Sequence, residues 1–60
     1  MNKELIINYM SKENFTKTDM AKKCDISDGA LNKILKGEKV QIKVLHKIAN
    51  TINISILELI

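Results

Sequence analysis

A chain of 60 residues with 45% hydrophobic residues and a net charge of +3 fits one small folded domain, and this composition argues against disorder. The chain has no proline, two glycines, one cysteine and one histidine, which argues against a turn-rich β fold, an internal disulfide and a zinc site. It contains no apolar run of the ~18–20 residues that a membrane span needs and no recognisable signal peptide, so we expect a cytoplasmic protein without a membrane segment.

The first predicted helix covers about Lys3 to Ser11. Its apolar residues pair at i,i+4 spacing, as Leu5 with Tyr9 and Ile6 with Met10. A polar stretch follows, in which Asn14 is suited to the left-handed conformation that ends many helices. The first element is therefore a short amphipathic helix.

The second predicted helix begins after Thr16. The segment from Thr16 to Asp19 has the pattern of a capping box, with an acidic residue in place of the usual Glu or Gln. The predicted inner face consists of Met20, Ala21 and Cys24, and Cys24 is interpreted as a small core residue rather than a redox switch. The helix ends after about two turns at the segment Asp25–Ser27.

The third predicted helix runs roughly from Ser27 to Lys36. Ser27 is a favourable N-cap, Asp28 lies at the positive end of the helix dipole, and Gly37 is a stop signal. The inward stripe is Leu31, Ile34 and Leu35. The outward stripe is Asp28, Gly29, Asn32, Lys33 and Lys36.

The fourth predicted helix runs from about Gln41 to Thr51, and Asn53 breaks it. Its predicted inward residues are Ile42, Leu45, Ala49 and Ile52. Ser55 then caps a last short helix in which Leu59 faces the core. His46 has no partner at ligand spacing, and we interpret it as a surface residue.

The second and third helices, joined by a three-residue turn, have the arrangement that projects one helix outward for DNA recognition. On the outward stripe, Lys can donate to guanine, Asn can pair with adenine and Asp can accept from cytosine in the major groove. Eight of the ten lysines lie between Lys17 and Lys47, so the basic footprint is central. No grouping of residues suggests catalysis, a cofactor or a small-molecule substrate.

The stretch from Thr16 to Gly37 resembles the helix-turn-helix of the phage repressor and Cro proteins, also called lambda-repressor-like or XRE-type regulators. The stretch from Leu45 to Ile60 is similar to the last two helices of that family. The features that show the resemblance are Ala21, Ile26, Ser27, Leu31, Ile34 and Gly37. The resemblance implies an all-α fold, a compact five-helix domain over residues 1–60, with the helix-turn-helix at about 17–36.

The resemblance also implies a function, namely sequence-specific binding of double-stranded DNA by a homodimer on a near-palindromic operator. By position, Lys17 matches a phosphate contact, and the outward residues of the third helix match base-facing positions. The loop after that helix matches a segment that touches the flanking backbone. The residues predicted to lie at DNA are Thr16, Lys17, Ser27, Asp28, Gly29, Asn32, Lys33, Lys36, Lys39, Gln41 and Lys43.

The sequence departs from the family pattern in three ways. Gly29 offers no side chain where the family has a long hydrogen-bonding residue, and Asp28 places a negative charge near the groove. Met10 and Leu35 stand where many members have a buried Arg–Glu ion pair, so we expect these two apolar side chains to touch. Restoring only one charge at such a site should cost several kcal/mol.

Two functions stay open at this stage. The first is a transcription regulator of repressor or Cro type. The second is a protein-interaction module, such as an antirepressor or an antitoxin, which Asp28 and Gly29 favour slightly. A dimer needs a two-fold symmetric contact, and the nearly uncharged C-terminal end is the predicted place for it. The predicted patch is Gln41, Val44, Ile56, Leu57 and Glu58.

Overall fold

The computed structural model describes all residues from Met1 to Ile60 and contains five α-helices and no strands. The helices are α1 (Lys3–Glu13), α2 (Lys17–Cys24), α3 (Asp28–Leu35), α4 (Ile42–Ile52) and α5 (Ile56–Leu59). The predicted all-α, five-helix architecture is confirmed, and the predicted helix ends differ from the observed ones by no more than two residues. None of the helices has the length and hydropathy that would let it cross a bilayer.

Side chains cap three of the five helices, namely α2, α3 and α5, at the residues that the sequence predicted. The hydroxyl of Thr16 accepts from the backbone N–H of Asp19 at 3.1 Å, and the Asp19 carboxylate accepts from the Thr16 N–H at 3.0 Å. Ser27 accepts from the Ala30 N–H at 3.0 Å and caps α3 in the same way. Ser55 caps α5. These bonds satisfy backbone donors that have no partner inside the helix.

Left-handed residues end three of the helices. Asn14 has φ of 58°, Asp25 has φ of 59° and Asn53 has φ of 61°. Asn and Asp tolerate this conformation better than other non-glycine residues, because their short polar side chains bond locally. The chain leaves α3 through Gly37, whose φ of 83° suits a glycine. The sequence predicted the left-handed conformation of Asn14 and the helix ends at Gly37 and Asn53, but not the left-handed conformation of Asp25.

Ten buried residues from all five helices form the core, and none of them is charged. Leu31, Ile34, Ala49 and Leu59 are buried as predicted. Cys24 is only 2% exposed, and burial raises the pKa of its thiol. The core consists of Ile6, Met20, Ala21, Cys24, Leu31, Ile34, Leu45, Ile48, Ala49 and Leu59.

The predicted inward position of Ile42 is wrong, because its side chain is 57% exposed. Ile42 is the first residue of α4, and Cα–Cβ bonds tilt toward a helix N-terminus, so this side chain extends past the helix start. Ile48, which the sequence analysis overlooked, is fully buried instead. It lies three residues after Leu45 in the middle of the helix, on the same face.

Met10 and Leu35 both pack against the core and are half-buried. A charge restored at either position would therefore be only half-buried, so its cost should be smaller than expected for a buried site. The backbone carbonyl of Leu35 also accepts a hydrogen bond from the Lys3 ammonium at 3.4 Å. Direct contact between the two side chains stays a prediction.

Candidate nucleic-acid interface

Helices α2 and α3 are joined by the three residues that the sequence predicted as a turn, Asp25–Ser27. The N–H of Ile26 donates to the carbonyl of Ala21 at 3.0 Å, which folds the chain back over the end of α2. Ile26 packs against the core, and α2 and α3 pack directly against each other. This is the geometry of a helix-turn-helix, in which α3 is the outer helix.

Helix α3 has one buried face and one exposed face. Leu31 and Ile34 are fully buried. The residues predicted to point outward are all exposed, namely Asp28, Gly29, Asn32, Lys33 and Lys36. The exposed face therefore offers a carboxylate, an amide and two ammonium groups, which are the groups that bind base edges and phosphates.

A shallow groove of about 600 Å³ lies between α3 and the segment that follows it. Polar side chains reach the groove from both sides, with Ser27 and Lys33 on the α3 side and Lys39 and Gln41 on the other. The groove thus brings together five residues that the sequence assigned to DNA, counting Gly29. Its lining is Ser27, Gly29, Ala30, Lys33, Lys39, Val40, Gln41 and Val44.

The other predicted DNA residues lie outside this groove. Thr16 and Lys17 are exposed at the start of α2, although the Thr16 hydroxyl already serves as the N-cap. Lys36 follows the last residue of α3, and Lys43 lies in the first turn of α4. These four residues are exposed, as are Asp28 and Asn32, which complete the six predicted DNA residues outside the groove.

The charged side chains that were predicted to contact DNA form no ion pairs within the protein. The structure contains one ion pair, which joins Lys47 to Asp25 at 3.6 Å. No lysine that was predicted to contact DNA is neutralised by a carboxylate of the protein, and Asp28 has no cationic partner either. An unpaired lysine can displace counterions from a phosphate without first breaking an internal contact.

Gly29 has a helical φ, and a Cβ built on it meets only the Ser27 hydroxyl oxygen, at 3.9 Å. Neither the backbone conformation nor the packing of the protein therefore requires a glycine at this position. The missing side chain at Gly29 therefore affects only the exposed surface of α3 and not the packing of the protein.

Sequence reasoning missed two contributors to this region. Val40 packs against the core and lines the groove. Its position between Lys39 and Gln41, both of which were predicted to lie at DNA, could have indicated this in the sequence. Lys47 reaches the turn between α2 and α3, where its ammonium lies 3.1 Å from the carbonyl oxygen of Asp25. A long-range contact of this kind has no signature in local spacing.

The residues predicted to form a dimer patch are unequally exposed. Leu57 is 76% exposed, whereas Val44 and Ile56 are half-buried against the core. Gln41 and Val44 also line the groove beside Gly29. Glu58 is exposed, and its carboxylate accepts from the Ser55 N–H at 3.0 Å. Leu57 is therefore the main apolar group that the patch offers to a partner.

Comparison with known proteins agrees with this geometry. The sequence matches the family model of the Cro/C1-type helix-turn-helix DNA-binding domain over residues 6–60, which includes all five helices except the first three residues of α1. No curated protein and no solved structure matches the chain. The chain belongs to the family of Cro/C1-type helix-turn-helix DNA-binding domains.

Proposed function

We propose that this chain is a transcriptional regulator that binds double-stranded DNA sequence-specifically, with α3 in the major groove. The observation that supports this most strongly is the groove between α3 and the loop after it. Residues that the sequence assigned separately to base reading and to backbone contact line that groove together. In this proposal, residues 1–60 form one binding unit that works in the cytoplasm without a cofactor.

The proposed roles follow from position and charge. Asn32 and Lys33 read base edges, because they lie on the exposed face of α3 and have the donors that adenine and guanine accept. Lys17 binds a phosphate from the start of α2, and Lys39 and Lys43 bind the flanking backbone. Asp28 accepts from the amino group of a cytosine, the base edge that suits a carboxylate.

We further propose that two copies bind together. One domain of this size covers a half-site of about four or five base pairs, and two recognition helices must lie about 34 Å apart to read successive major grooves. A near-palindromic operator then matches a two-fold symmetric contact between the copies. The exposed Leu57 supports a small interface that tightens on DNA.

A second candidate function is a protein-interaction module with weak DNA affinity. Two observations favour it, namely the unpaired carboxylate of Asp28 on the recognition face and the missing side chain at Gly29. A carboxylate on that face repels phosphate, and a glycine removes one reading position. In this function the same surface binds a protein.

The test starts with the parent protein and a random pool of DNA duplexes. Bound duplexes are selected and sequenced, and the affinity for a selected site and for random duplex is then measured between 50 and 200 mM salt. A regulator enriches a near-palindromic site, and its affinity falls steeply with salt for both duplexes. An interaction module enriches no sequence and shows little binding at any salt concentration.

A further inference from the structure

The turn between α2 and α3 is held from outside the helix-turn-helix by one side chain of α4. The ammonium of Lys47 donates to the backbone carbonyl of Asp25 at 3.1 Å and lies 3.6 Å from its carboxylate. The carbonyl and the carboxylate of one turn residue thus contact the same cation. The pairing joins residues 22 positions apart in the chain.

Asp25 is the residue at which the chain changes direction. Its φ of 59° is left-handed, and its own N–H closes the end of α2 on the carbonyls of Ala21 and Lys22. This conformation costs Asp less than most other non-glycine residues, but it still stores some strain, and contacts with the surroundings help to hold it. The Lys47 ammonium supplies such a hold, because it binds the carbonyl that follows the strained torsion angles.

The direction of α3 depends on this turn. α3 packs mainly against α2, and α2 in turn packs against α4, so the connection from Asp25 to Ser27 sets the angle between the two helices of the motif. Phosphate contacts from the start of α2 and base contacts from α3 must be made at the same time. A small change in this angle therefore affects sequence-specific binding more than nonspecific binding.

We propose that Lys47 is a positioning residue for DNA recognition, which fixes the turn at Asp25 and does not itself bind DNA. This inference rests on the proposed function. It also separates Lys47 from the other lysines of the basic region, which have no carboxylate partner in the protein. The main competing role is a phosphate contact, since Lys43 and Lys47 lie four residues apart on one side of α4.

The test compares Lys47→Met, which keeps the aliphatic stem, with Lys47→Arg, which keeps the donor and the charge. Lys12→Met is the matched control, because Lys12 is exposed and forms no ion pair, and its replacement changes the net charge equally. Affinity for the selected site and for random duplex is measured as a function of salt, at a temperature where circular dichroism shows every variant folded. The exchange rate of the Ile26 amide is measured without DNA.

We expect Lys47→Met to weaken binding to the selected site by about three- to tenfold, a modest effect because the Lys47 side chain is 45% exposed. The affinity of Lys47→Met for random duplex and its salt slope should match those of Lys12→Met. Its Ile26 amide should exchange faster than that of the parent, and Lys47→Arg should bind as the parent does.

A salt slope lower by about one, with both affinities reduced in parallel, would identify a phosphate contact and overturn the proposal. Parental specific affinity in Lys47→Met would overturn it equally. If the parent binds no DNA, the proposed function has failed, and the exchange rate alone then tests whether Lys47 holds the turn.

Discussion

Replacement of Gly29 by alanine should stabilise the fold and weaken DNA binding at the same time. Gly29 is the second residue of α3, and the cost of about 0.5–1 kcal/mol that glycine has relative to alanine inside a helix is an upper limit in the first turn. The new Cβ would lie 3.9 Å from the Ser27 hydroxyl oxygen, an ordinary contact, so no clash offsets this gain. The free energy of unfolding should therefore rise by up to about 1 kcal/mol, which raises the Tm of a domain of this size by up to roughly 8 °C.

The same methyl group should hinder binding to DNA. Gly29 is exposed and lines the groove beside α3, and the protein itself does not need a glycine there. If the recognition helix approaches the DNA closely at this point, the methyl group holds it away and should cost about tenfold in affinity, equivalent to ~1.4 kcal/mol. Thermal unfolding followed by circular dichroism and binding to the selected site give the two quantities.

Gly37→Ala is the matched control, because it also adds one methyl group to a glycine, but at a left-handed residue outside the helix. The φ of Gly37 is 83°, and its surroundings are open, so alanine there is strained without a clash. This variant should lose about 1 kcal/mol of stability. A lower Tm for Gly29→Ala would refute the helical placement of Gly29. Parental affinity in Gly29→Ala would refute the close approach to DNA.

Three further predictions concern the dimer, the helix-packing site and a helix cap. Leu57→Lys should leave half-site binding unchanged and remove cooperative binding to a full operator, measured by sedimentation and titration; cooperativity equal to that of the parent would place the interface elsewhere. Leu35→Glu places a charge at a half-buried position and should lower the free energy of unfolding by about 1–3 kcal/mol, and adding Met10→Arg should recover part of that loss. Strict additivity in the double-mutant cycle would show that the two side chains do not touch. The pKa of Asp19 lies below its ordinary value of 3.8, because its carboxylate accepts from the backbone N–H of Thr16, with smaller contributions from the Thr16 side chain and the Lys22 charge. The stability from this cap is therefore present above about pH 4 and is lost as the pH falls through the lowered pKa. Asp19→Asn should reduce the dependence of the free energy of unfolding on acid pH. A variant whose stability depends on pH as that of the parent does would contradict this role of Asp19.

Much of the fold was predictable because its signals are local. The capping pattern at Thr16, the serine before α3 and the left-handed residues at Asn14 and Asn53 each act within about four residues of the chain. Helical spacing also separated the two faces of α3 correctly. These features depend on hydrogen bonds and torsion angles that neighbouring residues determine.

The remaining features depend on contacts between distant parts of the chain. The spacing in α4 could not show that Ile42 lies at an exposed end while Ile48 lies over the core, because both positions are consistent with an inward stripe. Nor could spacing show that Lys47 reaches Asp25, or that Val40 lines a groove beside Gly29. In each case the arrangement of whole helices decides the environment of the residue.

The central claim is that α3 reads bases while the start of α2 binds phosphate, and a comparison of Lys33→Ala with Lys17→Ala tests it most directly. Affinity for the selected site and for random duplex is measured for both variants across salt concentration, with Lys12→Ala as the control for the loss of one charge. We predict that Lys33→Ala weakens specific binding by about 1–3 kcal/mol and relaxes the base preference at one position. Lys17→Ala should weaken both duplexes alike and lower the salt slope by about one. Variants that both bind as the Lys12→Ala control does would contradict the assignment of this surface to DNA.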